Sequence, residues 1–186
     1  MLITLVEILG LIIVTLYLGY LFSGFIKISH ALKRFDWQDI KFASLVAAPA
    51  VILHELAHKF TAIAFGFEAS FFAFYQSTFT LFLALLSILF KFLNFPFIFI
   101  IPGFVEISPT VMPNFQTSMI ALAGPLTNLI LFIIATIIIK TKNLTEKKLF
   151  FWVLTQRINI FLFLFNMIPI GLFDGGKVLA GLINAF

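Results

Sequence analysis

Long apolar runs alternate with short polar stretches along this chain, and four of the runs are long enough to cross the roughly 30 Å hydrocarbon layer of a bilayer as helices. The first, Leu2 to Ile26, lacks the basic n-region and small-residue cleavage site of a signal peptide, so it reads as a retained helix. Residues 27–41 follow as an amphipathic connector, with Lys27, Lys33, Arg34 and Lys41 against Asp36 and Asp39 and with Trp37 as an interfacial anchor. Phe42 to Phe65 is the second span, closed by Gly66 in the manner of a helix C-cap. Gln116 to Ile139 is the third. Residues 140–148 form a polar loop with Lys140, Lys142, Lys147 and Lys148 against Glu146. Leu149 to Ile170 is the fourth span, broken near its end by Pro169 and Gly171.

The stretch between the second and third spans has a different character. Phe67 to Gln76 is short, aromatic-rich and bounded by turn signals, which suits a strand as well as a helix. Ser77 to Ile101 is apolar, but Lys91, Asn94 and Pro96 divide it into two pieces, each shorter than the roughly 20 residues a spanning helix needs. A re-entrant or interfacial hairpin is expected there. Pro102-Gly103, Pro109 and Pro113 make residues 102–114 irregular, with Val105 to Ile107 as a short strand. No internal repeat or soluble domain is visible.

Composition narrows the function. Of 186 residues, 62% are hydrophobic and 11% charged, less than half the charged share of a soluble domain, which excludes one. With no cysteine, a thiolate metal site or thiol nucleophile is excluded, leaving His, Asp, Glu, Asn, Ser, Thr and Lys for any chemistry. The net charge of +4 does not signal nucleic acid. Residues 27–41 and 140–148 hold four basic residues each, eight of the twelve, and such clustering between spans is a topology signal.

Ionisable residues inside a span are costly and mark function by default. His54, Glu55 and His58 are three together, in the order His54-Glu55-Leu56-Ala57-His58. At helical spacing the two imidazoles lie one turn apart on one face and can reach one metal ion, with Glu55 beside them to act as a base on water. Catalytic zinc usually takes three protein ligands, so a third donor is required. Most of the other acids sit in connectors or near the chain start. Of the remaining Glu68, Glu106 and Asp174, Asp174 is the best candidate, because it follows a helix broken at Pro169 and such breaks at membrane depth line cavities. Asp174 also fits the N-cap of a short helix beginning near Gly175. Lys59 reads as a snorkelling surface charge.

His54-Glu55-Leu56-Ala57-His58, Asn166-Met167-Ile168-Pro169 with Asp174-Gly175, and Gly124-Pro125-Leu126-Thr127-Asn128 together resemble the site-2 protease family of intramembrane zinc metalloproteases. The three motifs run from residue 54 to 176 in the family's order. The resemblance implies a zinc ion (Zn2+) held by His54, His58 and Asp174, with Glu55 as general base. It also implies Asn128 and Asn166 as polar groups near the site that bind the substrate backbone. The chain departs from the family's three-helix core in residues 77–101, and no stretch in it resembles a PDZ or cystathionine-synthase-like regulatory domain.

The expected fold is therefore an all-α polytopic membrane protein with about four spanning helices, a re-entrant or interfacial hairpin, and short membrane-associated strands near the active site. Residues 1–41 form an N-terminal transmembrane helix and connector, and residues 42–186 a catalytic membrane core. Within the core are the metal-motif helix 42–65, a strand and hairpin region 66–115, the middle helix 116–139 and the Asp-Gly helix 149–176.

Depth tests this arrangement. Thirteen residues into a helix beginning near Lys41, His54 lies about 20 Å from that face, and Asn166 lies roughly 26 Å beyond Leu149. The ligands share a depth when residues 27–41 and 140–148 lie on the same side, which requires 77–101 to make no net crossing. The positive-inside rule puts both basic segments in the cytoplasm and the site near the outer face, whereas the family resemblance implies a site nearer the cytosolic face, so orientation stays open. The leading expectation is a multi-pass protein of the cell membrane, an intramembrane zinc endopeptidase that cuts a transmembrane protein substrate within the lipid bilayer. A membrane metal-ion transporter and a non-catalytic membrane scaffold are the alternatives.

Overall fold

The computed structural model describes residues 2–26, 36–95, 102–108, 113–171 and 173–184. Their order is α1 (Leu5–Phe22), α2 (Trp37–Ala64), β1 (Glu68–Ala73), a 3-10 turn (Phe74–Gln76), α3 (Thr78–Phe92), β2 (Gly103–Ser108), α4 (Asn114–Thr141), α5 (Glu146–Asn166) and α6 (Asp174–Ile183). Helices α1, α2, α4 and α5 are long and apolar enough to cross a membrane, and they correspond to the four expected spans. The two strands pair with each other as a small antiparallel sheet. The architecture is that of an all-α polytopic membrane protein.

The chain divides into two compact units, Met1–Val51 with Ser70–Glu106 and Ile52–Ala69 with Ile107–Phe186. In the first, α1 opens with a capping box: the Thr4 hydroxyl accepts from the Glu7 N–H at 3.3 Å, and Glu7 Oε2 accepts from the Thr4 N–H at 2.8 Å. Glu7 Oε1 accepts the Phe71 N–H of β1 at 2.7 Å, so this buried acid joins the helix start to the strand. Val14, Leu18 and Leu21 carry the buried stripe of α1 at helical spacing. Helix α3 has 15 residues, about 22 Å, too short to cross a bilayer upright. Near its end the Lys91 ammonium donates to the Ser23 hydroxyl at 2.7 Å and sits 4.0 Å over the Tyr20 ring.

One boundary differs from expectation in this part of the chain. Helix α2 begins at Trp37, not Phe42, because Ile40, Ala43, Val46 and Ala47 continue the buried stripe backward and Asp39 suits the positive end of the helix dipole. His54 therefore lies seventeen residues into the helix, about 26 Å, deeper than the 20 Å expected. The ambiguous stretch 67–76 resolves into strand plus 3-10 turn. Lys27, Lys33 and Arg34 of the expected connector, and residues 96–101 of the expected hairpin, lie outside the described residues.

In the second unit the last turns of α2 close on Gly66, whose φ of +87° is left-handed. There the Phe67 N–H donates to the Ala62 carbonyl at 3.0 Å and the Gly66 N–H to Ile63 at 2.9 Å, satisfying orphan carbonyls as a C-cap should. Helix α5 is tied to α4 by Gln156 Nε2, which donates to the Thr136 hydroxyl at 2.7 Å. It ends at Asn166, ahead of Pro169, and α6 starts afresh at Asp174. The expected Asp-Gly helix 149–176 is therefore two helices joined by a turn. Ser118 of α4 donates to the Val178 carbonyl at 3.0 Å, fastening α6 to α4.

Candidate metal centre

One helical turn separates His54 from His58 in α2, and their Nε2 atoms lie 3.1 Å apart with the rings nearly perpendicular. Asp174 brings its Oδ2 to 3.2 Å from His54 Nε2 and 3.3 Å from His58 Nε2. The N-cap position of α6 belongs to Phe173, so Asp174 is the first helical residue and its carboxylate is turned to the imidazoles. Among the described residues these three form a group able to hold one metal ion.

The triangle they make fits zinc. Metal–ligand distances of about 2.0–2.1 Å in a tetrahedron imply ligand–ligand edges of about 3.3–3.4 Å, close to the three edges observed. The donor chemistry fits as well. His58 Nδ1 donates to the Ile120 carbonyl at 2.7 Å, and a carbonyl only accepts, so that nitrogen carries the ring proton. His54 Nδ1 lies 2.6 Å from Asn128 Oδ1. Both neutral rings then turn Nε2 lone pairs toward the carboxylate oxygen. Three acceptors this close repel one another unless a cation or proton sits among them.

Backbone approach completes the cradle. Gly124 of α4 faces the imidazoles, and a Cβ built there would lie 2.6 Å from His54 Nε2 and closer still to His58 Nε2. Glycine leaves that space open. Burial raises the pKa of the Asp174 carboxyl, but where an imidazole Nε2 carries a proton its hydrogen bond to Oδ2 outweighs this and holds the carboxyl below the ordinary value of 3.8.

Glu55 is half-buried and stands outside the three-atom cluster, in the electrostatic range of His54, His58, Asp174 and Lys177. Asn166 is the last residue of α5 and half-buried. Asn128 is fully buried and its amide is engaged within the protein, Oδ1 with His54 and Nδ2 donating to Asn159 Oδ1 at 2.9 Å. Sequence reasoning did not single out Asn159 or identify Lys177 as a neighbour of Glu55. Lys177 was signalled by lying three residues after Asp174 on one helix, whereas no local signal marked Asn159. Lys59 is not a surface charge: it is 1% exposed, on the buried side of α2 that also carries Ala62.

The chain has a partial likeness to a known protein. The chain is 42% identical over 83 residues to a Methanocaldococcus jannaschii protein named "Putative zinc metalloprotease MJ0611". That stretch covers 42% of this chain and 41% of the relative's length, so well under half of either protein is matched. No family model and no solved structure matches the chain.

Proposed function

We propose that the protein is an intramembrane zinc endopeptidase of the site-2 protease type, hydrolysing a peptide bond within or near the transmembrane segment of a membrane-protein substrate. The observation that carries this reading is the convergence of His54, His58 and Asp174 on one point, at the end of a helix-borne His-Glu-x-x-His motif and in a chain with four spanning helices. His54 and His58 through Nε2, and Asp174 through Oδ2, would hold the metal. When bound, zinc supplies Lewis acidity, polarising the scissile carbonyl and acidifying water.

The chain's own groups do the rest. A Glu55 carboxylate oxygen takes the proton of the attacking water as its oxygen bonds to the carbonyl carbon, then delivers that proton to the leaving amine nitrogen as the C–N bond breaks. Asn166, at the end of α5, is assigned to the substrate backbone. Asn128 is assigned to orienting His54, since its amide is spent on protein partners. A substrate helix must unwind locally, because its carbonyls are otherwise hydrogen-bonded along the helix. Residues 42–186 would form the catalytic core, with residues 1–41 as its N-terminal anchor, in the cell membrane.

The test compares wild type with Glu55→Gln in detergent, with bound metal measured in both and a model single-span substrate supplied. About one zinc in each and chelator-sensitive cleavage by wild type alone is the expected result. Cleavage by Glu55→Gln refutes the base, absence of metal refutes the centre, and zinc without cleavage by either favours a scaffold.

A further inference from the structure

Metal-binding histidines need the correct ring nitrogen free, and for His54 the structure leaves that choice to an amide. A carbonyl fixes His58, because Ile120 oxygen can only accept. Asn128 is ambiguous by itself: its Oδ1 and Nδ2 are nearly the same size, and a 180° flip would present a donor instead of an acceptor to His54 Nδ1. In the flipped state His54 would keep its lone pair on Nδ1 and its proton on Nε2, with no lone pair left for a metal.

Asn159 removes the ambiguity. Its Nδ2 donates to the Thr155 carbonyl at 2.8 Å, an acceptor that cannot reverse, and this fixes its Oδ1 toward Asn128. That Oδ1 accepts from Asn128 Nδ2 at 2.9 Å, which in turn fixes Asn128 Oδ1 toward His54 at 2.6 Å. Asn128 and Asn159 are at most 1% exposed, so within the bundle no solvent competes for these bonds. We infer that Asn159 is a positioning residue: anchored on the Thr155 carbonyl, it locks the Asn128 amide and thereby holds His54 in the tautomer that offers Nε2 to the metal. The inference rests on the metal centre proposed above and adds to it a residue that makes no contact with the ion.

The experiment uses the full chain in detergent, with zinc itself as the probe in competition with a chromophoric chelator. Asn159→Leu keeps the shape but frees Asn128 to flip, and zinc affinity is expected to fall about 10- to 100-fold. Adding Asn128→Asp to that variant supplies only acceptor oxygens to His54 Nδ1, and most of the lost affinity is expected to return. Nitrogen-15 ring shifts of the metal-free wild type provide a readout that needs no variant, with the His54 proton expected on Nδ1. Unchanged affinity in Asn159→Leu, failure of Asn128→Asp to restore it, or a His54 Nδ1 that carries no proton would each overturn the lock. A wild type that binds no zinc would overturn the metal centre itself, which separates the two failures.

Discussion

Replacing Gly124 by alanine puts one methyl group where the candidate metal centre has none to spare. The added Cβ would stand 2.6 Å from His54 Nε2, whereas ordinary contact begins near 3.4 Å, so that nitrogen or α4 must yield by about 0.8 Å. Metal–ligand distances tolerate shifts of only about 0.2 Å, so a displacement four times larger detaches or misdirects a ligand. The fold itself should suffer little. Overpacking costs about 1–3 kcal/mol, and alanine recovers about 0.8–1.0 kcal/mol over glycine in a helix interior. Zinc affinity is therefore expected to drop on the order of 100-fold, at or beyond the upper range for disturbed supporting contacts, while thermal unfolding changes by about 2 kcal/mol or less. Gly171→Ala is the control, because a Cβ there meets nothing within 4 Å. The assay is chelator competition on both variants in detergent, with unfolding followed by circular dichroism. Wild-type zinc affinity in Gly124→Ala would refute both the position of the centre and the steric argument.

One further prediction concerns the metal cluster and one the start of α1. Protons compete with metal for the donor atoms of the cluster, so zinc affinity should fall as pH is lowered. Asp174, held below its ordinary value, adds no proton above about pH 4, so the affinity should fall by at most about two decades per pH unit there; chelator competition across pH giving a slope near three would contradict this. Glu7→Ala removes the acceptor of the buried Phe71 N–H along with the α1 capping box, and unfolding free energy should fall by roughly 2 kcal/mol in a denaturation series, with Glu7→Gln losing less.

The sequence was most informative where the physics is local. Hydropathy placed α1, α2, α4 and α5, because crossing a bilayer demands about 20 apolar residues in succession whatever their neighbours. Helical spacing brought His54 and His58 to one face for the same reason. Asp174 was found by eliminating the other acids, and the structure brings it to the histidines across 120 positions of sequence.

What depended on distant partners was not legible. The buried face of α2 decided that Lys59 lies inside and that the helix starts at Trp37. Pairing of β1 with β2 resolved a stretch whose short apolar pattern suited either secondary structure. The acceptors for the two Nδ1 atoms lie 74 and 62 residues away, and Asn159 meets Asn128 across 31. A sequence fixes which residues carry nitrogen and oxygen. Which of those atoms face one another, and so which lone pairs remain for a metal, is decided only when α2, α4, α5 and α6 pack and each buried polar group must find its partner.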